Sequence, residues 1–213
     1  MSRQKVIYNS YYNGYKISTN EAIGFGCIEN IISGYCDRLK YMTSKHRQVS
    51  VMQLVVSPPS ELSPQGANKL VGDCLNSIKK TMTNNGIEMQ AGWVRETAEF
   101  SESPHYHIGI IVNGSKCQSA VKVRNKFKDL MNKRVPDDSL GGSAHYCKPD
   151  HQKYSQQESC SAGDTVIKIR QDKPNADLQF ENALNKLSYD AKTGPQKANK
   201  LPGRIFGFTQ LKQ

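Results

Sequence analysis

Two strand-like segments that follow each other without an intervening helix restrict the folds open to this chain. The segments are Ile87–Glu96 and His105–Val112, and the polar loop Thr97–Pro104 joins them. Consecutive strands joined in this way predict an antiparallel pair. Around the pair, helical and strand-like spacings alternate in the order helix, strand, helix, strand pair, helix, strand, helix. This order predicts an α+β sandwich rather than a parallel α/β fold.

The spacing of apolar residues also predicts the remaining elements and a division of the chain. Helices are predicted at Thr19–Met42, Pro64–Asn84, Ser119–Arg134 and Asp177–Lys192, and further strands at Val49–Val56 and Asp164–Arg170. Residues 1–48 are then an N-terminal helical segment packed on the core. Residues 49–200 form the main domain, and residues 201–213 form a basic C-terminal tail.

Positive charge is concentrated in the second half of the chain. The 213 residues include 29 Lys and Arg against 19 Asp and Glu, a formal net charge of +10. Residues 113–213 hold 18 basic and 10 acidic side chains, a net +8, whereas residues 1–112 carry a net +2. Such an excess favours a polyanionic partner, most simply nucleic acid. The helix after the strand pair offers either a phosphate-contacting face or a merely solvated one, with basic side chains at Lys122, Arg124, Lys126, Lys128 and Lys133.

Composition and cysteine usage exclude several classes of protein. With 37% hydrophobic and 23% charged residues, the chain is neither a membrane protein nor fully disordered. No apolar run approaches the roughly 20 residues of a membrane span, and the N-terminal residues lack the apolar core of a signal peptide. The six cysteines form no Cys-x-x-Cys pair, and a chain of this length needs no disulfide framework. We therefore expect a protein of the reducing cytosol.

The sequence His105-Tyr106-His107 is the strongest candidate for a chemical site. Side chains alternate along a strand, so both imidazoles point to the same face. Tyr106 and the alternate apolar residues after it point to the other face, which should lie under helices and leave the histidines on the more open side. Two imidazoles can hold a divalent cation, and Glu96 on the preceding strand is a candidate third ligand that suits Mg²⁺ or Mn²⁺. The alternative interpretation is two ordinary surface histidines.

A second candidate is Tyr189-Asp190-Ala191-Lys192 on the last predicted helix. Residues three apart share a helix face, so Tyr189 and Lys192 should be neighbours. A free tyrosine titrates at about pH 10, and a nearby cation makes its attack as a nucleophile more feasible. The alternative is a half-buried tyrosine beside a solvated lysine. Taken with the histidine pair, the carboxylate and the basic second half, the motif indicates a metal-assisted transesterase in which tyrosine attacks a phosphodiester in line.

These motifs resemble those of the HUH endonucleases. The segment SPHYHIGIIVNG resembles their His-hydrophobe-His motif, and Tyr189 to Lys192 resembles the Tyr-x-x-Lys motif that follows it in the same order. The surroundings resemble, more specifically, the replication proteins of filamentous phages and prophages of the inovirus type. The segments that carry this resemblance are WVRE at Trp93–Glu96, HYHIGIIVN, and GRIFGFTQ at Gly203–Gln210.

The resemblance implies a fold, an activity and a set of roles. The fold is an antiparallel sheet palm that carries the histidine pair, with helices packed mainly on one face, and residues 49–200 form the nuclease domain. His105 and His107 are the implied metal ligands with Glu96 as the third, Tyr189 is the nucleophile, and Lys192 positions the tyrosine or the phosphate. The implied enzyme nicks and joins a single DNA strand to start rolling-circle replication of a phage or mobile element. It leaves a 5′-phosphotyrosyl link and a free 3′-hydroxyl.

The resemblance also implies a setting. The cofactor is Mg²⁺ or Mn²⁺, and the partner is single-stranded or hairpin DNA at an origin. A host helicase and polymerase are further implied partners, and the location is the cytoplasm of a bacterial host.

Other functions stay open on the residues alone. A non-catalytic DNA-binding protein on the same scaffold would leave no covalent adduct. A nuclease that uses water would leave Tyr189 only a structural role, and an RNA-binding protein would prefer RNA over DNA. Separately, His145, Cys147, His151 and Cys160 cluster in the polar stretch after the basic helix and could bind zinc, although their spacing matches no common zinc finger.

Overall fold

The structure of this protein is a computed structural model that describes residues 4–97, 104–135, 143–146, 166–193 and 204–211. Within these ranges the chain forms four α-helices, α1 (Glu29–Lys45), α2 (Pro64–Asn84), α3 (Ala120–Asn132) and α4 (Ala176–Ser188). The strands are β1 (Val6–Ile7), β2 (Tyr11–Tyr12), β3 (Tyr15–Lys16), β4 (Gly26–Ile28), β5 (Gln48–Ser57), β6 (Met89–Thr97), β7 (Pro104–Asn113), β8 (Ser143–Tyr146), β9 (Val166–Arg170), β10 (Lys192–Thr193) and β11 (Phe206–Phe208).

The main sheet is antiparallel and is built on β5 and β7. Its strands follow the order β11-β6-β7-β5, and both β8 and β9 pair with the second edge of β5. The strand pair predicted from the polar loop is β6 with β7, in a register that sets Gly92 opposite Gly109 and Glu96 opposite His105. The α+β class predicted from the order of the elements is therefore confirmed.

Helices cover both faces of this sheet, so the expected packing on mainly one face is wrong. The apolar side chains of α2 and α3 pack on one face against Met52 and Leu54 of β5. Those of α1 and α4 pack on the other face against Val49 and Val51 of the same strand. Successive side chains of a strand point to opposite faces. Because β5 carries apolar side chains on both faces of the sheet, helices must bury each face, and the fold has three layers: helices, sheet and helices.

The residues before α1 form a small second sheet instead of the start of a helix. The helix expected from Thr19 begins at Glu29, because the preceding residues form β4. This strand lies between β1 and β10 and is antiparallel to both. Gly24 just before it has a φ of 69°, a conformation that favours glycine. Pairing with β10, from the far end of the chain, is a long-range contact that local spacing does not predict.

The last described residues close the free edge of β6. β11 pairs antiparallel with β6, with Phe206 opposite Val94 and Phe208 opposite Gly92. The guanidinium of Arg38 in α1 stacks on the Phe208 ring, 4.3 Å from its centre. None of the helices in the described ranges combines the length and apolar character needed to cross a membrane.

Candidate functional site

Three side chains able to hold a metal ion meet where β6 ends and β7 begins. Glu96 and His105 are direct cross-strand partners, and His107 lies two residues further along β7, opposite Val94. Alternate residues of a strand share a face, so all three project from the face that α1 and α4 cover. The sequence-predicted ligands are thus brought together by the antiparallel pairing.

The donor atoms of these residues are close enough for one ion. Nε2 of His105 and Nε2 of His107 each lie 3.3 Å from the same oxygen, Glu96 Oε2, and all three donors lie within 4.8 Å of one another. Two ligands bonded to one ion at about 2.1 Å lie about 3.0 to 3.4 Å apart. Two imidazoles and a carboxylate also suit a divalent cation chemically. The residues present therefore fit a metal site.

Exposure differs between the two histidines. The His105 side chain is 26% exposed, whereas that of His107 is 9% exposed. The sequence had predicted the histidine face to be the more open one, but α1 and α4 cover most of it. The site therefore opens to solvent on the side of His105 and closes toward the core at His107.

Tyr189 lies beside the triad, although the two are far apart in the sequence. Its ring centre lies 6.5 Å from that of His107, and Lys192 Nζ lies 4.1 Å from the centre of the tyrosine ring. The predicted tyrosine and lysine are neighbours, but they do not share one helix. α4 ends at Ser188, a 3-10 turn spans Tyr189–Ala191, and Lys192 begins β10.

Asp190, the residue after the tyrosine, points inward beneath the site. It is 1% exposed, and its Oδ1 lies 3.5 Å from His107 Nδ1. Gln53 Nε2 donates to Oδ1 at 2.9 Å, and the Tyr35 hydroxyl donates to Oδ2 at 3.4 Å. Burial raises the pKa of Asp190 to about 6, although His107 and Gln53 act to lower it. From the sequence, Asp190 was only a member of the tyrosine motif and had no role of its own; the available signal was Gln53, a polar side chain inside an apolar strand.

The small N-terminal sheet holds the segment that carries Tyr189. Lys192 of β10 pairs with Cys27 of β4, and the backbone N–H of Ser18 donates to Ser188 Oγ at 2.7 Å. The Cys27 thiol donates to the Ser188 carbonyl at 3.5 Å. Burial raises the pKa of Cys27 to about 12, with Lys192 acting in the opposite direction. The thiol is therefore protonated at neutral pH and serves as a buried donor.

The basic helix predicted to contact DNA lies on the other face of the sheet from the triad. α3 packs beside α2, with its apolar side chains in the core of that face. Its side chains at Lys122, Lys126 and Lys128, and Lys133 just beyond its end, are exposed, and Arg124 is half-buried. The structure therefore keeps these charges on the surface but does not bring them to the triad.

The residues considered for zinc fall mostly outside the described part of the chain. His145 lies in β8, where it pairs with Val55 of β5. Cys147, His151 and Cys160 lie outside the described residues. The zinc hypothesis therefore stays a prediction.

Comparisons with family models, with curated proteins and with solved structures found no match for this chain. The chemistry open to the site is therefore inferred from its geometry alone. Two imidazoles and a carboxylate can hold a divalent cation. The tyrosine beside them can act as a nucleophile next to a cationic side chain.

Proposed function

We propose that this protein is a metal-dependent enzyme that nicks and joins single-stranded DNA through a tyrosine, like the HUH replication initiators that its motifs resemble. The observation that carries the proposal is the approach of Tyr189 to the triad, with its ring 6.5 Å from that of His107. The triad comes from a strand pair and the tyrosine from the turn after α4. A transesterase needs these two parts side by side, because the nucleophile must reach the phosphate that the metal binds.

Glu96, His105 and His107 are the residues that would hold the ion, which we propose to be Mg²⁺ or Mn²⁺. A carboxylate oxygen favours these hard cations, and Mn²⁺ also accepts imidazole ligands. When bound, the ion would draw negative charge from the phosphodiester and make its phosphorus easier to attack.

The nucleophile and a positive charge come from the chain itself. Tyr189 Oη would attack the phosphorus in line, so that an O–P bond forms as the bond from phosphorus to the 3′-oxygen breaks. The tyrosine hydroxyl gives up its proton, and the departing 3′-oxygen takes up a proton. The products are a 5′-phosphotyrosyl link and a free 3′-hydroxyl. Attack of a 3′-hydroxyl on the link reverses these steps and joins the strand.

Lys192 would assist this attack through its charge. Its ammonium lies 4.1 Å from the centre of the Tyr189 ring, so it can stabilise negative charge that develops on the phenol oxygen. The same charge attracts the phosphate of the incoming strand. We therefore give Lys192 the role of stabilising the nucleophile and holding the phosphate.

The proposed substrate is single-stranded or hairpin DNA at the origin of a phage or mobile element. The formal net charge of +10 favours a polyanion, and the exposed basic side chains of α3 supply a surface for phosphate contacts. A role in replication follows from the resemblance of the motifs, and a host helicase and polymerase would then act on the nicked strand.

A denaturing gel tests the proposal. The protein is incubated with single-stranded oligonucleotides that tile the DNA of its own element, in Mn²⁺ or Mg²⁺. Each oligonucleotide is labelled at its 3′ end, because the fragment that stays on the tyrosine keeps that end. Tyr189→Phe and His105→Ala run beside the wild type. Tyr11→Phe is the matched control, because Tyr11 is another surface tyrosine, 57% exposed.

We expect a labelled adduct that survives boiling in detergent in the wild type and Tyr11→Phe. Both Tyr189→Phe and His105→Ala should lack it. Cutting without an adduct, retained in Tyr189→Phe, would instead establish a hydrolytic nuclease. Binding without cutting on every tile would leave a DNA-binding protein, and preference for an RNA competitor would indicate an RNA-binding one.

A further inference from the structure

A buried carboxylate lies beneath the proposed metal site. Asp190 is 1% exposed, and a carboxylate this deep is costly unless its oxygens are hydrogen-bonded. Gln53 Nε2 donates to Oδ1 at 2.9 Å and the Tyr35 hydroxyl donates to Oδ2 at 3.4 Å. Because both donors come from elements of the core, β5 and α1, the carboxylate has a fixed position.

The ring of His107 lies between two carboxylates. Its Nε2 faces Glu96 Oε2 at 3.3 Å, and its Nδ1 faces Asp190 Oδ1 at 3.5 Å. An imidazole that binds a metal through one nitrogen keeps its proton on the other, and an acceptor at that second nitrogen fixes both the tautomer and the ring orientation. Asp190 Oδ1 faces this second nitrogen at the outer limit of hydrogen-bond distance, so a small shift of the ring on metal binding would make it such an acceptor.

Asp190 is also the immediate neighbour of Tyr189. The two residues belong to the same 3-10 turn, Tyr189–Ala191. With the Asp190 side chain fixed in the core and the Tyr189 side chain 38% exposed, the turn directs one residue under the site and the other toward solvent. Asp190, which faces the proposed metal ligand His107, is therefore joined by a single peptide unit to Tyr189, the proposed nucleophile.

We propose that Asp190 is a positioning residue that holds His107 with Nε2 toward the metal and, through the same turn, sets Tyr189 beside the ligands. This inference rests on the proposed metal site at Glu96, His105 and His107. Asp190 is buried on the core side of His107, so its proposed effect passes through His107.

Binding of Mn²⁺ to the full chain without DNA provides the first test, measured from the free Mn²⁺ signal in electron paramagnetic resonance. We expect Asp190→Ala to weaken Mn²⁺ binding about 10- to 100-fold. Asp190→Asn keeps an oxygen acceptor for Nδ1–H, so it should recover most of that loss. Ser188→Ala is the matched control, because it removes two hydrogen bonds from the same segment and neither of them involves His107. It should bind Mn²⁺ as the wild type does.

A second test observes the histidine proton directly. With Zn²⁺ as a diamagnetic probe and ¹⁵N-labelled histidine, we expect a slowly exchanging Nδ1–H signal from His107. The signal should appear in the wild type and Asp190→Asn and be lost in Asp190→Ala. A merely structural role for Asp190 would not remove it from a folded variant.

The outcomes separate this inference from the proposed function. Unchanged Mn²⁺ affinity in a folded Asp190→Ala, or an equal loss in Ser188→Ala, would overturn the positioning role and leave the metal site standing. Failure of the wild type to bind Mn²⁺ would overturn both. Weakened binding in Asp190→Ala with recovery in Asp190→Asn supports the inference, whether or not the protein nicks DNA.

Discussion

Lys192 places a positive charge against the ring of Tyr189, with Nζ 4.1 Å from the ring centre. If the charge stabilises the attacking oxygen, Lys192→Gln should slow adduct formation about 100-fold, the usual effect of removing one stabilising group from a transition state. Lys192→Arg keeps the charge and should be much less impaired. Single-turnover rates in Mn²⁺ measure the effect, and equal rates for Lys192→Gln and the wild type would contradict it.

The three residues of the candidate metal site could be predicted from the sequence, but a role for Asp190 could not. Side chains alternate strictly along a strand, so the spacing of His105 and His107 predicts that both lie on one face. The antiparallel pairing of the two consecutive strands then brings Glu96 to the same place. The contact of Asp190 with Gln53 joins β5 to the turn after α4. It depends on how distant elements pack, which no local spacing encodes.

Between the strands and α1, close packing depends on a pair of glycines. Gly92 and Gly109 are cross-strand partners in β6 and β7. A Cβ on Gly109 would lie 2.5 Å from the Leu187 side chain and 2.6 Å from that of Tyr35. Because glycine has no side chain, these two positions leave room for the Tyr35 ring, whose hydroxyl donates to Asp190. The glycine pair therefore supports the floor of the site.

We expect Gly109→Ala to destabilise the protein by about 1 to 3 kcal/mol, because the added methyl group overpacks the core against α1 and α4. Gly72→Ala is the matched control, since nothing lies within 4 Å of a Cβ at this position in α2. Alanine favours a helix over glycine by about 1 kcal/mol, so Gly72→Ala should be neutral or stabilising. Urea unfolding measures both variants, and equal stability of the two would show that the close approach is not needed.

The pairing of β4 with β10 can be followed through Cys27. Burial raises the pKa of this thiol to about 12, and only the thiolate reacts with alkylating reagents. Labelling at pH 8 should therefore be slow in the native protein and should occur when β4 separates from β10. Raising the pH should accelerate labelling as the thiolate fraction grows.

We expect Ser188→Ala to speed the labelling of Cys27 about fivefold. The hydroxyl also donates to the Asn185 carbonyl within α4, but the bond that it accepts from Ser18 is the one that ties the segment to the N-terminal residues, and its loss costs about 1 kcal/mol. Cys74 is the internal reference, since it lies in the core between α2 and α3, and burial raises its pKa to about 11. Mass spectrometry of digested protein measures both sites. Equal acceleration at Cys27 and Cys74 would indicate global unfolding instead of local opening.

Element types could be predicted from the sequence more closely than element bounds. α2 begins at Pro64 as predicted, because Ser63 caps it by accepting a hydrogen bond from the Gly66 N–H at 3.1 Å. The expected first and last helices extended too far, since β4 directly precedes Glu29, and a 3-10 turn followed by β10 comes after Ser188. The pairing of β4 with β10 joins opposite ends of the chain, so local spacing could not indicate it.

At the scale of the whole molecule, the basic side chains of α3 and the triad lie on opposite faces of the sheet. The exposed lysines of α3 lie on the face away from the triad, so a DNA strand bound at the site would have to continue round the molecule to reach them. We expect Lys126→Ala and Lys128→Ala each to reduce the slope of log Kd against log salt by about 1. Lys40→Ala, at an exposed position of α1 on the opposite face, is the matched control.

Fluorescence anisotropy with a labelled oligonucleotide, at several NaCl concentrations, measures these slopes. Unchanged slopes in the α3 variants, or an equal change in Lys40→Ala, would remove α3 from the DNA surface. The proposed chemistry at Tyr189 would not be affected by that result.

The proposed function requires Tyr189 to become covalently joined to a DNA 5′-phosphate in the presence of a divalent metal. Peptide mass spectrometry after nuclease trimming of the adduct tests it most directly. We expect one modified peptide, carrying a nucleotide on Tyr189, that is absent when Glu96→Gln replaces the wild type or when EDTA is added. A nucleotide on another residue, or cleaved DNA with every tyrosine unmodified, would contradict it.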